Sequence, residues 1–182
     1  MKGIINKGIQ DFVKNKFGDE AWEKITAPAG CKESFFAITS DYPDEMTISL
    51  VKAVSEVSEF PIETVMLEYG RFMVQNTLKE NYSTYFQLAG NNPRDFLLNM
   101  SKVHEHATRS ISKSAPPKFE YEEMPDGKLR MYYYSERGLC TVLRGLILGV
   151  GDYFNHKLEV EEVECKHNGA DHCIMEVTFN GR

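Results

Sequence analysis

The sequence has little of what would take a chain to nucleic acid, into a bilayer or out of the cell. Its 21 Lys and Arg are outnumbered by 27 Asp and Glu, giving a net charge of −6 and a pI near 5.4. Without a basic stripe to neutralise phosphates, no nucleic acid partner is expected, and acidic membrane surfaces are disfavoured. Long apolar runs are missing too. The most apolar stretch, "LRGLILGVGDYF", is interrupted by Arg144 and Asp152 and is too short to cross a bilayer. The opening "MKGIINKGIQDFVKNKFG" mixes Lys, Asn, Gln and Asp among its apolar residues, so it lacks the core of a signal peptide, and the expected location is cytoplasmic. Catalytic constellations are also absent: there is no nucleophile elbow, no P-loop and no pair of carboxylates in an apolar setting, so no enzyme activity is expected. Four cysteines in a cytosolic chain of 182 residues point to thiols or metal before disulfides.

What is present suits one globular domain over 1–182, since 42% of the residues are hydrophobic and no long linker, repeat or low-complexity segment divides them. Ile5, Ile9, Phe12 and Val13 recur at helical spacing, as do Ile48, Val51, Val54 and Val57. Pro61 suits the first turn of a third helix with Ile62, Met66, Tyr69, Met73 and Asn76 on one face. A further helix is expected from an Asn92 cap to Ser114, closed by Pro116 and Pro117. "KFEYEE", a "PDGK" turn and "LRMYYYSER" predict a hairpin. A helix over Gly138 to about His156 follows, then "KLEVEEVEC" and "CIMEVTF" around Asn168-Gly169 predict a second hairpin. Helices first and strands later, with one helix embedded, read as α+β: a helical part over about 1–60 and a part carrying a small antiparallel sheet over about 61–182.

Two features carry chemistry. On the helix from Asn92, the apolar stripe is Phe96, Leu97, Met100, Val103, Ala107 and Ile111, and His104 falls inside it, while His106 points elsewhere. An imidazole there either finds a hydrogen-bond acceptor within the core or binds something, because burying it bare is costly. In "MYYYSERG", strand alternation places Tyr133, Ser135 and Arg137 on one face, two hydroxyls and a guanidinium fork suited to an anionic ligand. Taken alone, that row also fits a half-buried edge strand with a solvated polar face. Together the two features meet the needs of a haem: a neutral nitrogen for iron and donors for two propionates.

At these residues the chain resembles the H-NOX family, the haem domains that bind nitric oxide or dioxygen and include the sensor part of soluble guanylate cyclase. "MKGIINKGIQDFV" is similar to the family's opening helix, "SKVHEHATRSISKSAPP" to its proximal-histidine helix and "YYSER" to its Tyr-x-Ser-x-Arg motif. The resemblance implies haem b buried between the two parts, with His104 on the iron and Tyr133, Ser135 and Arg137 on the propionates. It further implies that Pro117 and Ile5 pack on the ring, and that Ile9, Met73, Val142 and Leu146 form an apolar distal gas pocket. Such a pocket lacks the donor that stabilises dioxygen, which favours nitric oxide and carbon monoxide; Tyr69, one turn before Met73, is the hydroxyl to watch. The implied mechanism is a switch in which gas binding weakens the bond to His104 and the helical part moves. The implied signalling partner is a separate protein such as a histidine kinase or a cyclic-di-nucleotide enzyme. The alternatives are a haem-dependent enzyme, a haem carrier, or a redox sensor.

That last alternative rests on the tail "CKHNGADHC", which places Cys165, His167, His172 and Cys173 around one turn. The resemblance supports zinc on Cys140, Cys165 and Cys173. The position where the family has a histidine is Glu162 here, leaving His167 or His172 as the expected fourth ligand. A Cys165–Cys173 disulfide or buried structural thiols remain open readings. Cys31 reads as incidental. Gly145 and Gly149 expose bare helix surface to the haem or to a neighbouring helix.

Overall fold

The computed structural model describes residues 1–28, 31, 35–109 and 115–181. The amphipathic opening forms α1 (Gly3–Phe17), which buries Ile4, Ile9, Phe12 and Val13. Gly18, at φ 87°, turns the chain into α2 (Asp19–Thr26), an element with no counterpart among the sequence expectations. In α3 (Asp44–Ser58) the buried positions are Thr47, Leu50, Ala53 and Val54, whereas Ile48 and Val57 are exposed. The helix is thus rotated by about one position from the face its aliphatic residues predict. The cause is a buried polar pair: the Thr47 hydroxyl donates to the Asn6 side-chain oxygen at 2.6 Å. That bond lets two polar residues take core positions.

Pro61 precedes α4 (Ile62–Met73), which runs on through a π-helical turn, Val74–Leu78, into α5 (Lys79–Asn81). Asn76 spends its amide on the Phe72 carbonyl at 3.0 Å rather than on the cavity side. After α6 (Ser83–Ala89), the helix expected over Asn92 to Ser114 is two helices, α7 (Pro93–Leu98) and α8 (Met100–Thr108). The Asn92 side chain does cap α7, accepting from the Asp95 N–H at 2.9 Å. The break falls at Asn99, whose amide donates to the carbonyls of Ala89 and Asp95 at 2.9 and 3.0 Å, drawing the backbone out of one continuous ladder. Ile111 and the expected end at Ser114 lie outside the described residues.

The second part holds β1 (Lys118–Glu123), β2 (Leu129–Tyr134), α9 (Cys140–Tyr153), β3 (Leu158–Glu164) and β4 (Cys173–Phe179), in one antiparallel sheet of order β1-β2-β4-β3. Both expected hairpins are there. The strand expected to reach Arg137, however, stops at Tyr134, and Ser135 to Gly138 form a turn ending at Gly138 with φ 59°. Between Glu162 and Glu164 the β3–β4 register slips in a bulge that pushes Val163 outward. Among the described residues, no helix is long and apolar enough to cross a membrane.

Two apolar cores result. One gathers α1 to α4 around Phe12, Leu50, Val65 and Phe72; the other gathers the sheet, α7 and α9 around Leu129, Met131, Ile147 and Met175. They are joined where α4 crosses α9 backbone to backbone. A Cβ on Gly145 would sit 2.1 Å from the Leu67 carbonyl oxygen, and one on Gly70 would sit 2.3 Å from that of Val142. Gly145 and Gly149 therefore serve the neighbouring helix: a Cβ on Gly149 would lie 2.7 Å from the Arg71 carbonyl oxygen. Because the obstacle is backbone, Gly145→Ala can be accommodated only by moving α4 away from α9. It should cost about 1–3 kcal/mol as an overpacking change, read as a lower denaturant midpoint with unchanged slope. A midpoint equal to the parent would show that the two helices separate freely.

Candidate functional site

Between the two cores lies an apolar cavity of about 280 Å³. α1 and α4 line it with Ile5, Ile9, Tyr69 and Met73, and α9 with Val142 and Leu146. α7 and α8 contribute Phe96, Met100, Val103 and His104. Leu78 and Leu146 pack against both cores, so the cavity interrupts what would otherwise be one continuous apolar interior. Gly8 makes room at the α1 wall, since a Cβ there would lie 2.0 Å from the Met73 sulfur. The Tyr69 hydroxyl, although on a cavity-lining residue, donates to the Ile5 carbonyl at 2.9 Å, and burial pushes its pKa well up.

His104 occupies this cavity wall, stacked on Phe119 with ring centres 5.7 Å apart. Its Nδ1 is buried and has no hydrogen-bond partner among the described residues. Burial pulls its pKa below the usual imidazole range, so at neutral pH it is uncharged. His106 is exposed, with Nδ1 2.7 Å from the Lys102 carbonyl oxygen. A bare neutral imidazole facing an apolar cavity is a metal ligand in waiting, and the site fits a haem on this ground.

Tyr133 is buried on the core face of β2, and burial pushes its phenol pKa up, a shift that the Ser135 side chain opposes. Ser135 and Arg137 reach the same neighbourhood by the turn after β2, not by strand alternation: the Arg137 backbone N–H donates to the Ser135 hydroxyl at 3.3 Å. The Arg137 guanidinium donates to Asp44 Oδ2 at 3.0 Å and to the Ala115 carbonyl at 3.4 Å. Pro117 is half-buried just before β1. Tyr133, Ser135, Arg137 and Pro117 stand outside the cavity lining, whereas Ile5 is part of it.

At the first turn of α9, the thiols of Cys140, Cys165 and Cys173 come together beneath the β3–β4 hairpin, all buried. The two candidate histidines stay out of this cluster. His167 Nε2 lies 2.7 Å from the Gly138 carbonyl oxygen, and His172 packs on Tyr134 with ring centres 4.7 Å apart. Burial pushes the Cys140 and Cys173 thiols up. Cys31 is buried in the first core.

Sequence reasoning missed Asp44, which carries a signal only as a helix-start acid, and the cavity-lining Tyr82 and Tyr85 on or beside α6, which carry none. Asp44 ties Arg137 to the start of α3 in the N-terminal core. The Met1 amine and then the Arg137 guanidinium hold its carboxyl below the usual range. A lowered folded pKa stabilises above the unfolded value of about 3.9, and the contribution is lost as pH falls through the folded value. With Asp44 41% exposed, solvent screening limits that contribution to about 0.5 kcal/mol. Asp44→Asn should therefore be slightly less stable than the parent at pH 7, with the two unfolding curves converging as pH falls below the unfolded value and through the lowered folded one. A gap that stays constant over that range would assign the loss to packing instead.

A family model described as Haem-NO-binding matches residues 2–162. Two soluble guanylate cyclases of Caenorhabditis elegans are similar: gcy-35 is 27% identical over 188 residues and gcy-31 is 23% identical over 183. They cover 98% and 99% of this chain, which spans 27% and 26% of their own length, about a quarter. Among solved structures, an H-NOX protein from S. oneidensis in the Fe(II)NO ligation state superposes with a TM-score of 0.90, covering 100% of both chains at 23% identity. A mutant H-NOX of T. tengcongensis gives a TM-score of 0.85 at 24% identity, covering 100% of this chain and 98% of that one. The two structures speak to the fold, which is the same. The family match, spanning most of the chain, places this protein in the haem-binding H-NOX family of gas-sensing domains.

Proposed function

We propose that this chain senses nitric oxide through haem b held in the cavity, with carbon monoxide as a second ligand, and signals to a separate protein without catalysis of its own. The observation that carries the reading is His104 on the wall of an apolar cavity between two cores, a neutral imidazole whose Nδ1 is buried with no hydrogen-bond partner among the described residues. Bound haem would supply a ferrous iron that takes a diatomic gas. His104 is the residue to hold that iron. Tyr133, Ser135 and Arg137 are those to hold the propionates, Arg137 exchanging or sharing its Asp44 contact to do so. Pro117 and Ile5 are the residues to pack on the ring.

Gas selectivity follows from the opposite wall. Ile9, Met73, Val142 and Leu146 offer no donor, and the Tyr69 hydroxyl is committed to the Ile5 carbonyl. Dioxygen leans on a distal donor more than nitric oxide or carbon monoxide does. Among the described residues, His104 is the one imidazole lining the cavity and no arginine joins it, which disfavours peroxidase-like acid–base chemistry. A change in what the cavity holds acts on both cores at once through Leu78 and Leu146, and it shifts their arrangement only as far as the ligand favours one arrangement over the other. A histidine kinase or a cyclic-di-nucleotide enzyme in the cytoplasm is the partner class proposed.

Two experiments test this. His104→Gly should lose stable haem, with buffer imidazole restoring it, while His106→Ala should leave the absorption spectrum unchanged; equal loss from both would remove His104 from its role. Haem-loaded ferrous protein should keep its anaerobic spectrum on first exposure to air before it slowly oxidises, yet change fully with nitric oxide. A stable new spectrum in air that disappears in Tyr69→Phe would show that the tyrosine leaves Ile5 to act as donor.

A further inference from the structure

The sheet has two unlike faces. Leu129, Met131, Met175 and Val177 turn inward to the core that α9 shares, whereas the outward side chains are exposed on β1 and β3 and half-buried on β2 and β4. The outward positions carry Glu120 and Glu122 on β1, Glu159, Glu161 and Glu164 on β3 and Glu176 on β4, against Lys118, Lys128 and Arg130. A surplus of three negative charges, half of the chain's net −6, thus stands on one face.

The nearby cations are already engaged. Arg130 donates to Glu176 at 2.6 Å and to Glu122 at 3.4 Å, Lys128 donates to Glu176 at 3.3 Å, and Lys157 pairs with Glu159 at 3.3 Å. Glu120, Glu161 and Glu164 are left without a paired cation among the described residues. Glu161 also stands directly opposite Glu176 in the β3–β4 register, a like-charge arrangement that costs stability. Along the middle of the face, Tyr132 and Tyr134 donate to Glu122 and Glu120 at 2.8 and 3.3 Å, which orients their rings. His172 packs on both, with ring centres 5.7 and 4.7 Å away, and Ile174 pairs with Tyr132 across β2 and β4. Acids on both edges therefore flank an aromatic and aliphatic strip.

We propose that this face docks a basic amphipathic helix of a partner protein, with its apolar stripe over Tyr132, His172 and Ile174 and its cationic side chains on the glutamates of both edges. Charge complementarity selects the basic partner, since the same glutamates repel nucleic acid and acidic lipid. Width selects the helix. Four strands spaced about 4.8 Å apart set β1 and β3 about 14 Å from one another, and a helix with its side chains is about 10–12 Å across, so one helix reaches both edges at once. Arginines on it can also stack on the tyrosine rings. A face about 20 Å long and 14 Å wide is small beside the ~800 Å² per partner of a standard interface, so the complex is transient and sensitive to salt. The partner's role rests on the signalling function proposed above, whereas the docking itself does not depend on what the cavity holds.

Calorimetric titration of the full chain with a synthetic peptide of about five helical turns, a leucine stripe flanked by arginines, tests it. Visible absorption of the same sample with and without nitric oxide reports on the cavity separately, so a failure of docking and a failure of gas sensing are told apart. The expected result is saturable binding of one peptide per chain, with a gain of peptide helix in circular dichroism. Binding should weaken by at least about fivefold in the pair Glu161→Gln and Glu164→Gln, and by a similar factor in Tyr132→Ser. The pair Glu20→Gln and Glu23→Gln, which removes the same charge from the exposed side of α2, should bind as the parent does. Equal weakening by the two pairs would reduce the effect to overall charge. That result, undiminished binding in Tyr132→Ser, binding without a gain of helix, or no saturable binding would each overturn the proposal.

Discussion

The backbone-to-backbone crossing of α4 and α9 is the constraint on which the rest depends. Each helix belongs mainly to a different core, and Gly70 and Gly145 let them approach until carbonyl oxygens occupy the space a methyl group would take. No side-chain layer separates the two halves at that line, so they cannot slide past one another there without losing close packing. Away from the crossing they diverge, and the space between them is the cavity that His104 enters. A contact made of backbone thus sets both the union of the two cores and the size of the gap beside it.

Much of this was legible in the sequence, for identifiable reasons. Period-two and period-3.6 patterns are local, and they located both hairpins, α1, α4 and α9. The same patterns set His104 and His106 on different faces. Positions decided by non-local polar contacts were not legible. Thr47 is buried because Asn6, 41 residues away, supplies its acceptor, and the rotation of α3 follows from that bond. Asn99 breaks a helix because Ala89 offers a competing carbonyl. The end of β2 at Tyr134 removed the periodic rationale for grouping Tyr133, Ser135 and Arg137, yet a turn brings them together. Residues of one motif can therefore lie near one another while the periodic reason given for their grouping is wrong. Glu162 shows the same limit, since a bulge changes the face of every residue beyond it and leaves no mark in the spacing.

The two sites differ in how the chain compensates burial. In the cavity, one orphaned imidazole nitrogen stands among aliphatic and aromatic walls, so the uncompensated cost is small and a single neutral group carries it. Beneath the hairpin, three buried thiols are crowded together with a carboxylate oxygen of Glu162, all within 4.8 Å of one another. Between the sites runs the turn from Ser135 to Gly138. Arg137 pairs across it with Asp44 on α3, while Lys166 and His167 grip its carbonyls from the tail. A displacement at either end has a short route to the other.

Among the described residues, the strand order β1-β2-β4-β3 leaves β1 and β3 each with one side not paired to another strand. Exposed edges invite intermolecular pairing and, eventually, aggregation. Here the two edges read "KFEYEE" and "LEVEEVE", so any second copy aligning edge to edge would bring rows of glutamates together, and the bulge in β3 spoils the straight backbone such pairing needs. The sheet is thereby protected against self-association, and any partner that uses an edge must bring positive charge to it.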